Sequence, residues 1–79
     1  MDYLSAFIEV MRARELTVAQ IDRFAALWRT LPPGVARLPC PICYSAGGWG
    51  EIGAPYPEQG IEHVKCGRCK TVFPLGPAG

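Results

Sequence analysis

Four cysteines in two matched pairs carry the chemistry of this chain: Cys40-Pro-Ile-Cys43 and Cys66-Gly-Arg-Cys69, separated by residues 44–65. A two-residue spacing lets two thiolates bend toward one ion while the intervening amides point at the sulfurs. Two such knuckles, brought together by a hairpin, supply four soft ligands, the donor set of a tetrahedral zinc site with sulfur at about 2.3 Å. Gly67 is expected to ease the turn of the second knuckle and Pro41 to stiffen the first. The same donor set suits tetrahedral iron, as in rubredoxin. An oxidising compartment would instead allow disulfides, and a redox-active dithiol would call for a surrounding βαβ pattern that two matched pairs argue against. A closed shell of four sulfurs leaves no open coordination position, so the metal is expected to be structural.

Other reactive residues do not assemble into a second pattern. His63 lies three residues before Cys66 and is a further candidate donor, with a strand position or a supporting hydrogen bond behind the ligands as its other readings. Glu51, Glu58 and Glu62 show no pairing suited to acid–base work, no serine or free cysteine sits beside a histidine, and no glycine-rich phosphate loop is present. A non-enzymatic protein is expected.

Lys65, Arg68 and Lys70 surround the second knuckle, and Tyr44, Trp49, Tyr56 and Phe73 accompany the cysteine region. Lys65, Arg68, Lys70 and Trp49 are therefore candidate contacts to nucleic acid or to a partner, cations meeting phosphates and the ring stacking on bases. The structural reading is that Trp49 and Phe73 pack the cysteine region onto the rest of the chain. The cations would then balance the charge of −2 that four thiolates leave around one Zn²⁺.

The positioning elements come next. Leu4, Phe7, Ile8 and Met11 recur on one helical face, predicting a helix near residues 3–14 that Asp2 could cap. Thr17-Val-Ala-Gln20 matches a capping box, with Leu16 placed to staple onto Ile21. A second helix follows, with Val18, Ile21, Ala25 and Trp28 on one face, widened by Phe24, Leu27 and Leu31; it ends before Pro32. Residues 32–39 read as a linker, 49–52, 61–66 and 71–73 as short strands, and 53–60 as an exposed hairpin loop. The expected architecture is α+β: one domain over 1–79, with a helical hairpin at 1–31, a linker, and a three-stranded antiparallel zinc ribbon at 40–75. Tyr3, Leu4, Phe7, Phe24, Leu27 and Trp28 exceed what two helices can bury between them, so some must meet the ribbon, a partner or a second copy of the chain.

Length and charge bound the function. A chain of 79 residues buries only roughly 60% of its unfolded surface, and chains of this size usually need a staple such as disulfides, a metal or a partner subunit. Eight basic against seven acidic residues give a net charge of +1, without the basic excess of a dedicated nucleic-acid binder. The first residues lack the charged start and apolar run of a signal peptide, and no stretch approaches the roughly 20 apolar residues of a membrane span. A soluble cytoplasmic protein with no membrane partner is expected.

The segments Leu38-Pro-Cys-Pro-Ile-Cys43 and Val64-Lys-Cys-Gly-Arg-Cys69 resemble the small zinc ribbons of phages and mobile elements, most of all the Lar-type restriction-alleviation family. The resemblance covers about residues 38–75. It implies Cys40, Cys43, Cys66 and Cys69 as ligands. That family commonly has glycine where this chain has Tyr44, and generally lacks a helical hairpin like that of residues 3–31. Two functions are expected to compete. One is a protein-binding inhibitor of a host defence complex, of the anti-restriction or anti-CRISPR type. The other is a small nucleic-acid-binding regulator using the basic and aromatic edge of the ribbon.

Overall fold

A computed structural model describes residues 3–32, 34 and 37–77. Asp2, Pro33, Val35 and Ala36 fall outside them, and with them the cap expected at Asp2 and part of the linker. Helices α1 (Tyr3–Ala13) and α2 (Val18–Thr30) come first. Strand β1 (Leu38–Pro39), the short helix α3 (Pro41–Ser45) and strands β2 (Glu51–Ile52), β3 (Tyr56–Glu58), β4 (Ile61–Lys65) and β5 (Val72–Pro77) follow. The chain is α+β, two helices followed by a three-stranded antiparallel sheet of order β3-β4-β5.

The capping box forms as its residues require. Thr17 Oγ1 accepts from the Gln20 amide at 3.1 Å, and Gln20 Oε1 accepts from the Thr17 amide at 2.8 Å. Each bond satisfies a donor that the first turn of α2 leaves without a helical partner. Thr17→Ala is expected to cost about 1 kcal/mol. Urea denaturation of the two proteins measures it, and equal midpoints would contradict it.

Three expectations need correcting. The segment 53–60 is not all loop, because Tyr56–Glu58 forms β3 and pairs with β4 in the register Tyr56↔His63, Pro57↔Glu62 and Glu58↔Ile61. The turn is the two residues Gln59 and Gly60, both left-handed at φ 54° and 76°, as a tight type I′ hairpin demands. Pro57 is tolerated because β3 is an edge strand. Second, the strand expected at 49–52 shrinks to Glu51–Ile52 and lies outside the three-stranded sheet. It pairs instead with Leu38–Pro39, the end of the supposed linker, and touches the larger sheet through the Ile52↔Cys66 bridge. Third, the cysteine region, expected to hold short strands and a loop, begins with the short helix α3. Cys40 caps α3 with its sulfur, and Pro41 takes the first helical position, where a missing amide costs nothing.

Phe7 anchors the core. Its ring lies 6.0 Å from Tyr3, 6.0 Å from Phe24, 5.6 Å from Trp28 and 4.8 Å from Phe73 of β5. Phe24 in turn meets Tyr44 of α3 at 6.1 Å. The apolar surplus of the two helices is therefore spent on the sheet and on α3. Phe7 and Phe24 are fully buried, while Tyr3, Leu4, Leu27 and Trp28 pack partly buried against the same core. Val18, expected on the inner face, is instead 74% exposed at the first position of α2. Phe73 packs the sheet to the helices as expected, but Trp49 does not, and Tyr44 takes that place.

Candidate metal centre

Cys40 ends the β1 side of the first knuckle, Cys43 sits on α3, and Cys66 and Cys69 flank the turn from β4 to β5. Backbone bonds close each knuckle on the chain beside it and join the two. The Cys40 amide donates to the Gly50 carbonyl at 2.9 Å, the Gly67 amide to the Glu51 carbonyl at 3.1 Å, and the Cys66 amide to the Thr71 carbonyl at 3.0 Å.

The four sulfurs converge, all within 4.8 Å of one another. Cys40 and Cys69 Sγ are 3.6 Å apart, and Cys43 and Cys66 Sγ 3.8 Å. A regular tetrahedron with sulfur at about 2.3 Å from its centre has edges of about 3.8 Å, so the spacing fits one bound ion. Cys40 and Cys66 are fully buried, Cys43 nearly so, and Cys69 is exposed. The arrangement fits a structural metal site.

Amides are aimed at the sulfurs, as the knuckle spacing predicts. Cys40 Sγ accepts from the Cys43 amide at 3.5 Å, and Cys66 Sγ from the amides of Arg68 at 3.3 Å and Cys69 at 3.4 Å. Thr71, whose role the sequence reading missed, is buried beside the site with its Oγ1 3.2 Å from Cys69 Sγ. Toward a thiolate, only the Thr71 hydroxyl can donate. Burial above all pushes the Cys40 and Cys43 thiols up. Burial also raises Cys69, but the hydroxyl and amide of Thr71, with the thiols of Cys66 and Cys40, outweigh it and hold Cys69 at about 6.

Glycine is needed where the sequence reading did not look. A Cβ on Gly50 would lie 2.7 Å from Cys43 Sγ and 2.8 Å from Cys66 Sγ, closer than real contacts allow. Gly67, by contrast, has no left-handed φ, and a Cβ there would meet only the Glu51 carbonyl at 3.9 Å. The left-handed residue of the second knuckle is Lys70, at φ 65°. Gly50 could not have been found from spacing within a knuckle, because it lies outside both.

The remaining candidates separate. His63 is not among the clustered donors. Its ring stacks on Tyr56 across the β3–β4 pair at 5.7 Å, and its Nδ1 is buried without a hydrogen-bond partner among the described residues. Arg68 Nη1 donates to the Trp49 carbonyl at 2.8 Å, bringing these two together along one shallow groove. Arg37 lines the same groove, whereas Lys65 and Lys70 do not. Trp49 touches Tyr44 edge-on at 6.4 Å and is 47% exposed. No helix among the described residues is long and apolar enough to cross a membrane.

Comparison with protein-family models, with curated proteins and with solved structures gives no match for this chain.

Proposed function

We propose that this chain is a non-enzymatic zinc-ribbon protein, in which one Zn²⁺ held by Cys40, Cys43, Cys66 and Cys69 fixes a fold that acts by binding another macromolecule. The observation that carries the reading is the convergence of four sulfurs within 4.8 Å of one another, two of their separations being 3.6 and 3.8 Å. Four thiolates close the coordination shell, which suits a structural rather than a catalytic ion. Zinc is preferred to iron as the resident metal. Native mass spectrometry of the purified protein is expected to find one zinc per chain. Binding must drive protons off Cys40 and Cys43, whose thiols burial raises, so affinity is expected to fall as pH is lowered. Iron in place of zinc, or metal retention indifferent to acid, would contradict this.

The resemblance of the two cysteine segments to the Lar-type family directs the finer reading toward a protein partner. That reading is an inhibitor, encoded by a phage or mobile element, of a host restriction or CRISPR complex. Producing the protein in a restricting host and plating unmodified phage tests it, with plating raised over the empty vector as the expected result and unchanged plating as its refutation. The helix face that seemed in surplus gives this reading no support, because its residues pack into the core. One observation favours a second reading, a nucleic-acid contact: Trp49 shares its groove with Arg37 and Arg68.

A further inference from the structure

Beside the metal centre runs an open groove whose lining includes Arg37, Trp49, Glu51, Gly53, Gly67 and Arg68. Three features make it different from the rest of the surface. Two exposed lining residues, Gly53 and Gly67, carry no side chain, so a flat ligand can approach the backbone there. Trp49 is held from behind, through its carbonyl by Arg68 and through its ring by Tyr44, while 47% of the residue stays open. Two cations, Arg37 and Arg68, stand along it against one carboxylate, Glu51. Among the described residues the only ion pair is Arg37 with Glu51 at 3.6 Å, both side chains well exposed, and such surface pairs exchange partners readily. Arg68 has no acidic partner among the described residues.

An exposed indole that shares a groove with two guanidinium groups matches a ligand that presents flat π-faces and regularly spaced anions. That is the chemistry of single-stranded nucleic acid, whose unpaired bases stack on aromatic rings and whose backbone carries a charge per nucleotide. A duplex hides its base faces, and α3 is only five residues long, too short to serve as a groove-reading helix. Among the described residues, Trp49 is the one large exposed hydrophobic side chain that a protein partner would find in this groove. Among the described residues the exposed large hydrophobic side chains are Val18, Trp49, Ile61 and Val72, spread over α2, the α3–β2 loop, β4 and β5.

We propose that this groove binds single-stranded nucleic acid, with Trp49 stacking on one base and Arg37 and Arg68 meeting the flanking phosphates. The proposal rests on the zinc-loaded fold, since Arg68 belongs to the second knuckle and Trp49 leads into β2. It narrows the contact surface expected from sequence: Arg37 joins it, and Lys65 and Lys70 leave it. The near-neutral charge and two phosphate contacts predict modest affinity with a shallow salt dependence. The slope of log K against log salt should be about −1.4, from roughly −0.7 per phosphate.

The test is fluorescence anisotropy of the full, zinc-loaded chain against labelled oligo-dT and oligo-U of 20 nucleotides and a duplex of equal length, over a salt series. Binding to the single strands is expected, weaker to the duplex. Trp49→Ala should weaken it about 5- to 150-fold. Arg37→Gln should halve the salt slope to about −0.7. Val18→Ala, on an exposed site elsewhere, should change neither, and one zinc per chain in each variant shows that the fold is intact. Several outcomes would overturn the proposal: no binding of the zinc-loaded protein at 50 mM salt, equal affinity for the duplex, indifference to Trp49→Ala, or equally tight binding of a labelled poly-glutamate peptide. A chain that takes up no zinc would overturn the zinc reading itself, whereas a zinc-loaded chain that ignores oligonucleotides would overturn this proposal alone.

Discussion

Stripping the metal with a strong chelator is expected to unfold the chain from Leu38 onward and to take the two helices with it. A structural zinc site supplies roughly 10–16 kcal/mol of apparent binding free energy, against the roughly 5–15 kcal/mol by which whole domains are stable. This chain has little else to replace it. Cys40, Cys43 and Cys66 belong to the same buried cluster as Phe7, Phe24 and Phe73, so loss of the ion opens the core that the helices share with the sheet. Left without that surface, α1 and α2 have 11 and 13 residues, around the lower limit at which isolated helices persist in water. Circular dichroism should therefore lose helical as well as strand signal on chelation and recover both on adding zinc. An unchanged spectrum and melting temperature after complete metal removal would sink the structural role of the ion. Retention of full helicity with loss of only the ribbon would show that the shared core is weaker than its ring contacts imply.

Gly50→Ala is the single substitution expected to damage the metal centre most without touching a ligand. Its methyl group would press on two sulfurs at once, at 2.7 Å from Cys43 and 2.8 Å from Cys66. Neither can swing away, because both sulfurs must stay on the ion. Relief must come from the backbone of Gly50, whose carbonyl is tied to the Cys40 amide at 2.9 Å. Overpacking of this kind costs about 1–3 kcal/mol, and here it falls on the ligands, so zinc affinity should drop about 5- to 150-fold. Gly67→Ala is the control: it lies inside a knuckle, but the space beside it is open and its φ is not left-handed. Competition with a chromophoric chelator should find Gly67→Ala near the parent and Gly50→Ala well below it. The opposite order would mean that the knuckle turn, rather than the sulfur cradle, limits the site.

The two cases show where sequence reasoning reached and where it stopped. The cysteine cluster was legible because each pair is fixed by a two-residue spacing, and a knuckle of that length directs its amides at its own sulfur wherever it is placed. The start of α2 was legible for the same reason, since Thr17 and Gln20 satisfy each other within a single turn. The strand β3 was not, because Pro55 and Pro57 read as loop until the neighbouring strand shows that Tyr56–Glu58 is an edge with no need of every amide. Thr71 and Gly50 escaped because neither belongs to the motif whose sulfurs it contacts or crowds.

By itself, then, the sequence determined four cysteines spaced to converge, a capped second helix and an α+β order of elements, all of them consequences of residues close along the chain. Tertiary structure alone decided the rest. It laid the apolar helix faces on Phe73 and Tyr44, leaving Trp49 outside. It brought Gly50 against the sulfurs of both knuckles and set Arg37 and Arg68 along one groove with Trp49. These placements join residues distant in sequence, and their positions are fixed only when the strands pair and the core closes around them.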